Sequence, residues 1–538
     1  MSNFKFQNII IFFIFLILFL IIIYPKPIHG PWDEYHLLYF IKNQILFPFY
    51  DMNFPYYDTF SLGRFSPLAG QEFNLPILLN FSLDSFRYFL FFEFILLIYF
   101  ASKLYGKNSF FEFNTYYFLL FLFLIIFSPG FIITSTRFLY SEDFLALLFI
   151  IFFIIYYSYK QNNKYILIKN IVLFLLLTII LLYKESSFIL FSSFLFVTIF
   201  LDYKKNKLRL FDLILLSLCV FYILVYYLVR SYFLGENTYA KPENILNLKI
   251  IILTFIKFFL NDVILFLVLI PISFIHIIIN KNNFYIAIFV SSIAFISFYI
   301  VLGMYSPYYL FPIYFLLIPI FFEFFGKINF KKNYTLLIFL LYLSSAIIFS
   351  LFNSLFYFHE SRALAYNFQN SLNTVHKKIS NNKSDFKNIF ICGNHDAGYL
   401  SQIYIFGEHL KFKKLGINNF DFKSFEKNDI LSFYTKNSPF DTNINSENPG
   451  FYSIFNNTNL DIKPTNQDLF LSLPHMSLKS ENTCHKQYMY LFEDLYVYNS
   501  NVKVTLLSNL LKKFLNFNSY NNEFLYQKNY NFIIGYFK

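Results

Sequence analysis

Charge is what this chain has least of. Of 538 residues only 14% are Asp, Glu, Lys or Arg, against 57% hydrophobic, and the mean hydropathy is +0.50. A soluble protein of this length would divide into several domains at roughly 150 residues each, and each would need a charged surface that this composition does not supply. Cysteine is scarcer still, with only Cys219, Cys392 and Cys484, and no Cys/His spacing resembles a zinc site. A dense run of one charge sign is also missing. The net charge of +11 is spread along the chain rather than gathered into the basic stripe that phosphate-backbone binding requires, which argues against a nucleic-acid partner.

What the sequence has in abundance is uninterrupted apolar blocks, with 82 Phe and 45 Tyr. The Phe, Ile, Asn, Lys and Tyr usage looks like the drift of an AT-rich genome, so aromatic abundance alone is not a ligand signal. Runs of about 17 to 25 apolar residues predict eleven membrane spans. They lie near 4–24, 84–104, 115–134, 141–159, 166–184, 186–201, 210–234, 262–280, 284–303, 307–325 and 334–357. The first is followed by Tyr24, Pro25, Lys26 and Pro27 instead of a small-x-small exit, and it reads as a retained anchor rather than a cleaved signal.

With alternating loops, Lys103, Lys107, Lys160, Lys164, Lys169, Lys204, Lys205, Lys207, Arg209, Lys281, Lys327, Lys331 and Lys332 fall on one side. That side is then cytoplasmic, as is the N-terminus. The expected location is an integral position in a bacterial inner (plasma) membrane, with everything after residue 358 periplasmic or extracellular. Residues 1–358 form the expected membrane domain, with a long first outer loop at 25–83. Residues 359–538 read as a small extracytoplasmic α/β domain, from short apolar runs such as KNIFICG, DLFLSL and NFIIGYF and a helix-like stretch over Ala397 to Leu410. Cys392 and Cys484 both fall outside, where an oxidising compartment permits a disulfide between them, the alternative being two unrelated thiols.

Polar clusters gather at the outer span ends. The first outer loop opens with PWDEYH, placing Asp33 and Glu34 just beyond a span and ahead of an amphipathic stretch through Tyr39, Phe40, Ile41 and Ile45. An acid held at the lipid–water boundary suits chemistry on a lipid-borne substrate, although the same pair also suits an ordinary helix start with Asp33 as cap. The second outer loop, STRFLYSED, sets Arg137, Glu142 and Asp143 at the mouth of the fourth span, and LYKESS adds Lys184 on the same surface. Together they offer a base, an acceptor or metal ligand, and a phosphate partner. Glu93, deep in the second span, reads as paired or facing a cavity. ICGNHDAG contains a string seen in metallophosphoesterases, but the further Asp and His motifs do not follow in order, so it reads as a strand ending in Gly393 with Asn394 or Asp396 capping a helix.

The ordered series DEYH, RFSPL at Arg64 to Leu68, SEDFLALLF, YKESS and YSPYYLFPIYFLLIP resembles the landmarks of the GT-C polytopic glycosyltransferases, in particular the protein O-mannosyltransferase and aminoarabinose transferase branch (glycosyltransferase family 39). The resemblance covers about residues 1 to 330. It implies transfer of a sugar from a polyprenyl-phosphate donor to a glycolipid, glycan or protein acceptor on the outer face, with inversion. Asp33 matches the first-loop acid acting as base or acceptor contact, with Glu34 its neighbour; Asp143, or Glu142 beside it, matches the second-loop acid. Lys184, Arg64 and Arg137 are the cations for the leaving phosphate. No cofactor is required by this pattern; a divalent metal, Mg or Mn, would fall to Asp33 and Asp143. RFSPL lacks the double-proline turn common in that branch, and Tyr308 and Tyr309 stand where an Arg-Tyr pair is frequent, so donor and acceptor identity do not carry over. The competing expectations are a multi-pass transporter or lipid flippase, a polymerase or ligase of lipid-linked glycans, and a non-catalytic scaffold.

Overall fold

A computed structural model describes residues 66–81, 86–104, 115–136, 142–233, 247–327 and 333–381, five strands beyond them, and a few single positions between 10 and 46. Two compact units divide the chain: Met1–Ile23 with Gln44–Tyr357, and Tyr24–Asn43 with Phe358–Lys538.

In the first unit the described residues are helical. The elements are a 3-10 turn at Gln71–Phe73, α1 (Asn74–Leu78), α2 (Phe86–Leu104), α3 (Thr115–Ile126), α4 (Pro129–Thr136), α5 (Glu142–Gln161), α6 (Ile166–Tyr183), α7 (Ser187–Tyr203), α8 (Leu210–Phe233), α9 (Leu248–Asn261), a π-helical turn at Ile264–Leu269 running into α10 (Ile270–Asn280), α11 (Asn283–Val301), a 3-10 turn at Pro307–Leu310, α12 (Phe311–Lys327) and α13 (Asn333–Asn381). Among the described residues six stretches are long and apolar enough to cross a membrane, and up to eight if each of two sharply bent pairs is one span. The chain is therefore an α-helical polytopic membrane protein.

Burial sorts these helices. Every residue from Leu310 to Phe322 is buried, so α12 is apolar all round because protein surrounds it. By contrast α6 and α8 leave Leu167, Ile168, Leu175, Phe221, Leu224 and Tyr227 exposed, as helices facing acyl chains do. Between them α5, α7 and α11 interlock through Phe rings. Phe152 and Phe191 meet edge-on at 4.7 Å, Phe153 and Phe194 at 4.8 Å, the geometry that ring quadrupoles favour.

Two sequence expectations meet different backbone. The span expected at 115–134 is broken, α3 and α4 meeting at 70°. Pro129 opens α4, where its missing N–H costs nothing, and Ser128 Oγ caps it by accepting the Phe131 N–H at 3.1 Å. The stretch at 248–261, outside every expected span, is the helix α9, capped by Asn247 Oδ1 on the Lys249 N–H at 3.1 Å and bent 92° from the π turn and α10 that follow. The span near 186–201 is α7, 17 residues. Both breaks free backbone carbonyls, and α13 answers both. Ser350 and Ser354 donate to the Phe127 carbonyl, Ser354 at 2.8 Å, while Asn353 donates to the Leu260 and Asn261 carbonyls at 2.9 and 2.7 Å. A bent helix buried in apolar surroundings needs such substitutes for its lost ladder.

In the second unit the described residues are the end of α13 and five strands, β1 (Ile389–Gly393), β2 (Gly450–Ser453), β3 (Leu469–Ser472), β4 (Phe492–Lys503) and β5 (Gln527–Phe537), in one sheet ordered β2-β1-β3-β5-β4. β1 and β3 run parallel and the other neighbours antiparallel. Cys392 lies in β1 opposite Phe451 and Ser472; Cys484, and with it the expected disulfide, lies outside the described residues, as do Asn394, Asp396 and the stretch Ala397 to Leu410.

Candidate functional site

Among the described residues of the first unit, ion pairs gather at both ends of α5. At one end Lys160, closing α5, pairs with Asp202 of α7 at 2.7 Å and with Asp212 of α8. Arg209 caps the same helix end by donating to the Tyr159 carbonyl at 2.5 Å, and Tyr156 donates to Asp212 at 2.9 Å. Lys160, Asp202, Asp212 and Arg209 thus each have an opposite charge or a carbonyl. That end is built for stability.

The other end is not balanced. α5 begins with Glu142 and Asp143, so two carboxylates sit at a helix N-terminus, where the dipole favours them. The 20-residue helix rises roughly 30 Å at about 1.5 Å per residue, the thickness of a bilayer core, between these acids and the end that carries Lys160. Lys184, following α6, forms an ion pair with Glu142. Its Nζ also lies 5.3 Å from the Tyr309 ring centre, a cation–π contact. Tyr309 stacks on Tyr299 at 4.5 Å and 8°, with Tyr308 against its edge at 4.5 Å, and the Tyr299 hydroxyl donates to Ser186 Oγ at 2.7 Å.

The first long loop reaches this end through the RFSPL stretch that the sequence singled out and through Glu72, which it did not. The Leu68 N–H donates to the Leu182 carbonyl at 3.1 Å, and Ser66 Oγ donates to Glu185 at 2.7 Å. Gly70, at φ +82°, turns the chain into the 3-10 segment and brings Glu72 inward, where the Tyr183 hydroxyl donates to its Oε1. Glu93 of α2 is close enough to Glu72 and Asp143 for their charges to interact. Four acids, Glu72, Glu93, Glu142 and Asp143, are thus buried near one another and near Lys184, Glu93 reaching them from within α2.

Their hydrogen bonding is incomplete. Glu72 Oε2, Glu93 Oε1, Asp143 Oδ1 and Ser187 Oγ are buried without a partner. Buried oxygens in that state cost free energy until a donor arrives, and three of them are carboxylate oxygens. The two neighbours in the SED motif are also distinguished: Glu142 is engaged by Lys184, whereas Asp143, within reach of the Thr134 side chain, keeps one oxygen open. Such an arrangement can accept protons or hydroxyl donors and can offer a cation and aromatic faces to a phosphorylated ligand.

Burial pushes the Glu72 carboxyl from its ordinary 4.5 up to about 7; the Tyr183 hydrogen bond opposes this, and nearby Glu142 adds to the rise. A raised carboxyl binds more protons folded than unfolded between those values. Glu72 therefore stabilises the fold fully below about pH 4.5, and that contribution is lost as pH climbs through about 7. Thermal unfolding of the solubilised protein followed from pH 5 to 8 should show this decline, and Glu72→Gln should flatten it. An unchanged slope in the variant would remove Glu72 as its source.

Of the residues expected from sequence, Glu142, Asp143 and Lys184 are brought together. Asp33, Glu34, Arg64 and Arg137 lie outside the described residues. Among the described residues no group of three or more His, Cys, Asp or Glu is disposed to hold a metal ion. Glu72 carried no sequence signal beyond being an acid in an outer loop, since only the turn at Gly70 and the contact with Tyr183 place it. Set against protein-family models, curated proteins and solved structures, the chain matches none.

Proposed function

We propose that the protein is a membrane glycosyltransferase of GT-C type that moves a sugar from a polyprenyl-phosphate donor to a glycolipid, glycan or protein acceptor at the outer face of the membrane. The observation that carries it is the buried, donor-poor acid cluster beside Lys184 and the tyrosine stack, at one end of helices long enough to cross the bilayer. A lipid-anchored phosphate can reach only that depth. Glycosyl transfer needs a carboxylate to take the proton of the incoming hydroxyl and positive charge to meet the departing phosphate. Asp143, with an open oxygen, is the base within the described residues; Lys184 is the cation. The sugar hydroxyls supply the donors that the remaining carboxylates lack, and the tyrosine faces give the ring an apolar wall. The carrier is already an activated leaving group, so no acid catalyst is required. Asp33 and Glu34, Arg64 and Arg137, the inside N-terminus and an extracytoplasmic α/β domain over 359–538 belong to the same proposal.

Full-length protein in detergent, given a panel of polyprenyl-phosphate sugars and assayed for released carrier phosphate, should turn over at least one of them. Reporter fusions at Lys205 and after Asn370 should give opposite sides. No release from any donor, or the same side for both fusions, overturns the assignment.

One observation favours a transporter instead. Two broken helices, bent 70° and 92°, are what transporters use to expose carbonyls to a transported ion or solute. Counterflow of labelled sugars or lipid-linked sugars in proteoliposomes, without covalent transfer, would select that alternative.

A further inference from the structure

We infer that the break between α9 and the π turn is a binding site for a monovalent metal cation of about the size of sodium, held by Asp262 Oδ2 and Asn353 Oδ1. This does not rest on the glycosyl-transfer assignment.

The protons of the break can be followed one by one. The Tyr314 hydroxyl donates to Asp262 Oδ1. Asn353 Nδ2 spends both hydrogens on the Leu260 and Asn261 carbonyls, which fixes its amide orientation and leaves Oδ1 as an acceptor. Asn261 Nδ2 donates to the Lys257 carbonyl at 2.9 Å, and Asn261 Oδ1 takes the Tyr357 hydroxyl at 3.2 Å. Because the Tyr357 proton goes there, the 3.0 Å contact between the Tyr305 and Tyr357 hydroxyls has Tyr305 as donor. Asp262 Oδ2 and Asn353 Oδ1 remain without any partner, in side chains each 1% exposed.

The deficit is of positive charge as well as of hydrogen. One carboxylate and one amide oxygen are left over, both hard ligands, and the carbonyl end of α9, to which Asn353 is bonded, adds negative potential at the break. Lys257, the cation nearest in sequence, has its Nζ 5.8 Å from the Tyr305 ring centre. A divalent ion is disfavoured because the break offers a single formal negative charge, whereas a monovalent ion is neutralised by it. Helices interrupted within a membrane bind alkali cations by this combination of carbonyl ends and one acid.

The test is the thermal midpoint of the full-length protein in detergent, in sodium, potassium or choline chloride at equal ionic strength and fixed pH. Sodium should raise the midpoint by about 2–4 °C over choline, and radioactive sodium should bind with competition by unlabelled sodium. Asp262→Asn, which replaces the unpartnered oxygen by a neutral amide, and Asn353→Ala should each abolish both effects while the choline midpoint of Asp262→Asn stays at or above wild type. Equal midpoints in the three salts with no sodium binding would show that the break holds only water or a proton. An undiminished sodium effect in both variants would place the cation elsewhere. Either outcome overturns the inference, and the direct binding measurement on the unaltered protein decides it even if a variant fails to fold.

Discussion

Lys184→Met should be the most destabilising single change at the acid-rich helix end, costing about 3–5 kcal/mol. The Lys184 and Glu142 side chains are 9% and 2% exposed, so neither charge has water to fall back on. Removing the lysine leaves Glu142 uncompensated in a setting that already holds Glu72, Glu93 and Asp143, and the repulsion among them loses its only described counter-charge. Methionine keeps the length and the apolar stem, which isolates the ammonium as the cause. Adding Glu142→Gln to Lys184→Met should recover a large part of the loss, because an apolar or neutral pair of similar volume avoids the desolvation of both ions. A double-mutant cycle on denaturation midpoints reads this directly. Additive losses would mean that the ion pair is not the stabilising element. If glycosyl transfer is the activity, the double variant should be folded and inactive, since the phosphate partner is gone.

Asp143→Asn should behave in the opposite sense. The carboxylate is buried with an oxygen that no donor reaches, and Lys184 is already taken by Glu142, so the ionised form is held at a cost. An asparagine of the same shape removes the charge. The thermal midpoint should hold or rise by about 2–4 °C, while carrier release falls on the order of 10²–10⁴-fold, the contribution of one general base. A residue whose removal stabilises the fold and ends the activity is one that function retains. Loss of stability together with activity would make Asp143 a structural acid. Unchanged activity would move the base elsewhere, with Asp33 and Glu72 next to be replaced.

How much could be read from sequence varies with the kind of signal. The membrane class followed from long apolar runs, because backbone groups in a bilayer have to be satisfied inside a helix and the run length is set by bilayer thickness. Continuity within a run was not legible. Phe-rich sequence on either side of Ser128 and Pro129 scores as one span by hydropathy, yet the two residues restart the helix at 70°. The helix at 248–261 fell between two expected spans, and the bend at Asp262 depends on Asn353, Tyr314 and Tyr357, which are distant in sequence.

The sequence by itself determined the polar residues of SED and YKESS and their position at span ends, because charged groups are expelled from the apolar interior to the ends of helices that cross it. Only the tertiary structure decided that Glu142 and not Asp143 takes Lys184, that Glu72 and Glu93 join them, and that α13 holds both broken helices. Those are pairings between segments far apart in sequence, 223 residues from Ser350 to the Phe127 carbonyl. Hydrophobic periodicity is local and carries no information about which helix end meets which. Packing, and the need of each freed carbonyl and buried charge for a partner, makes that choice.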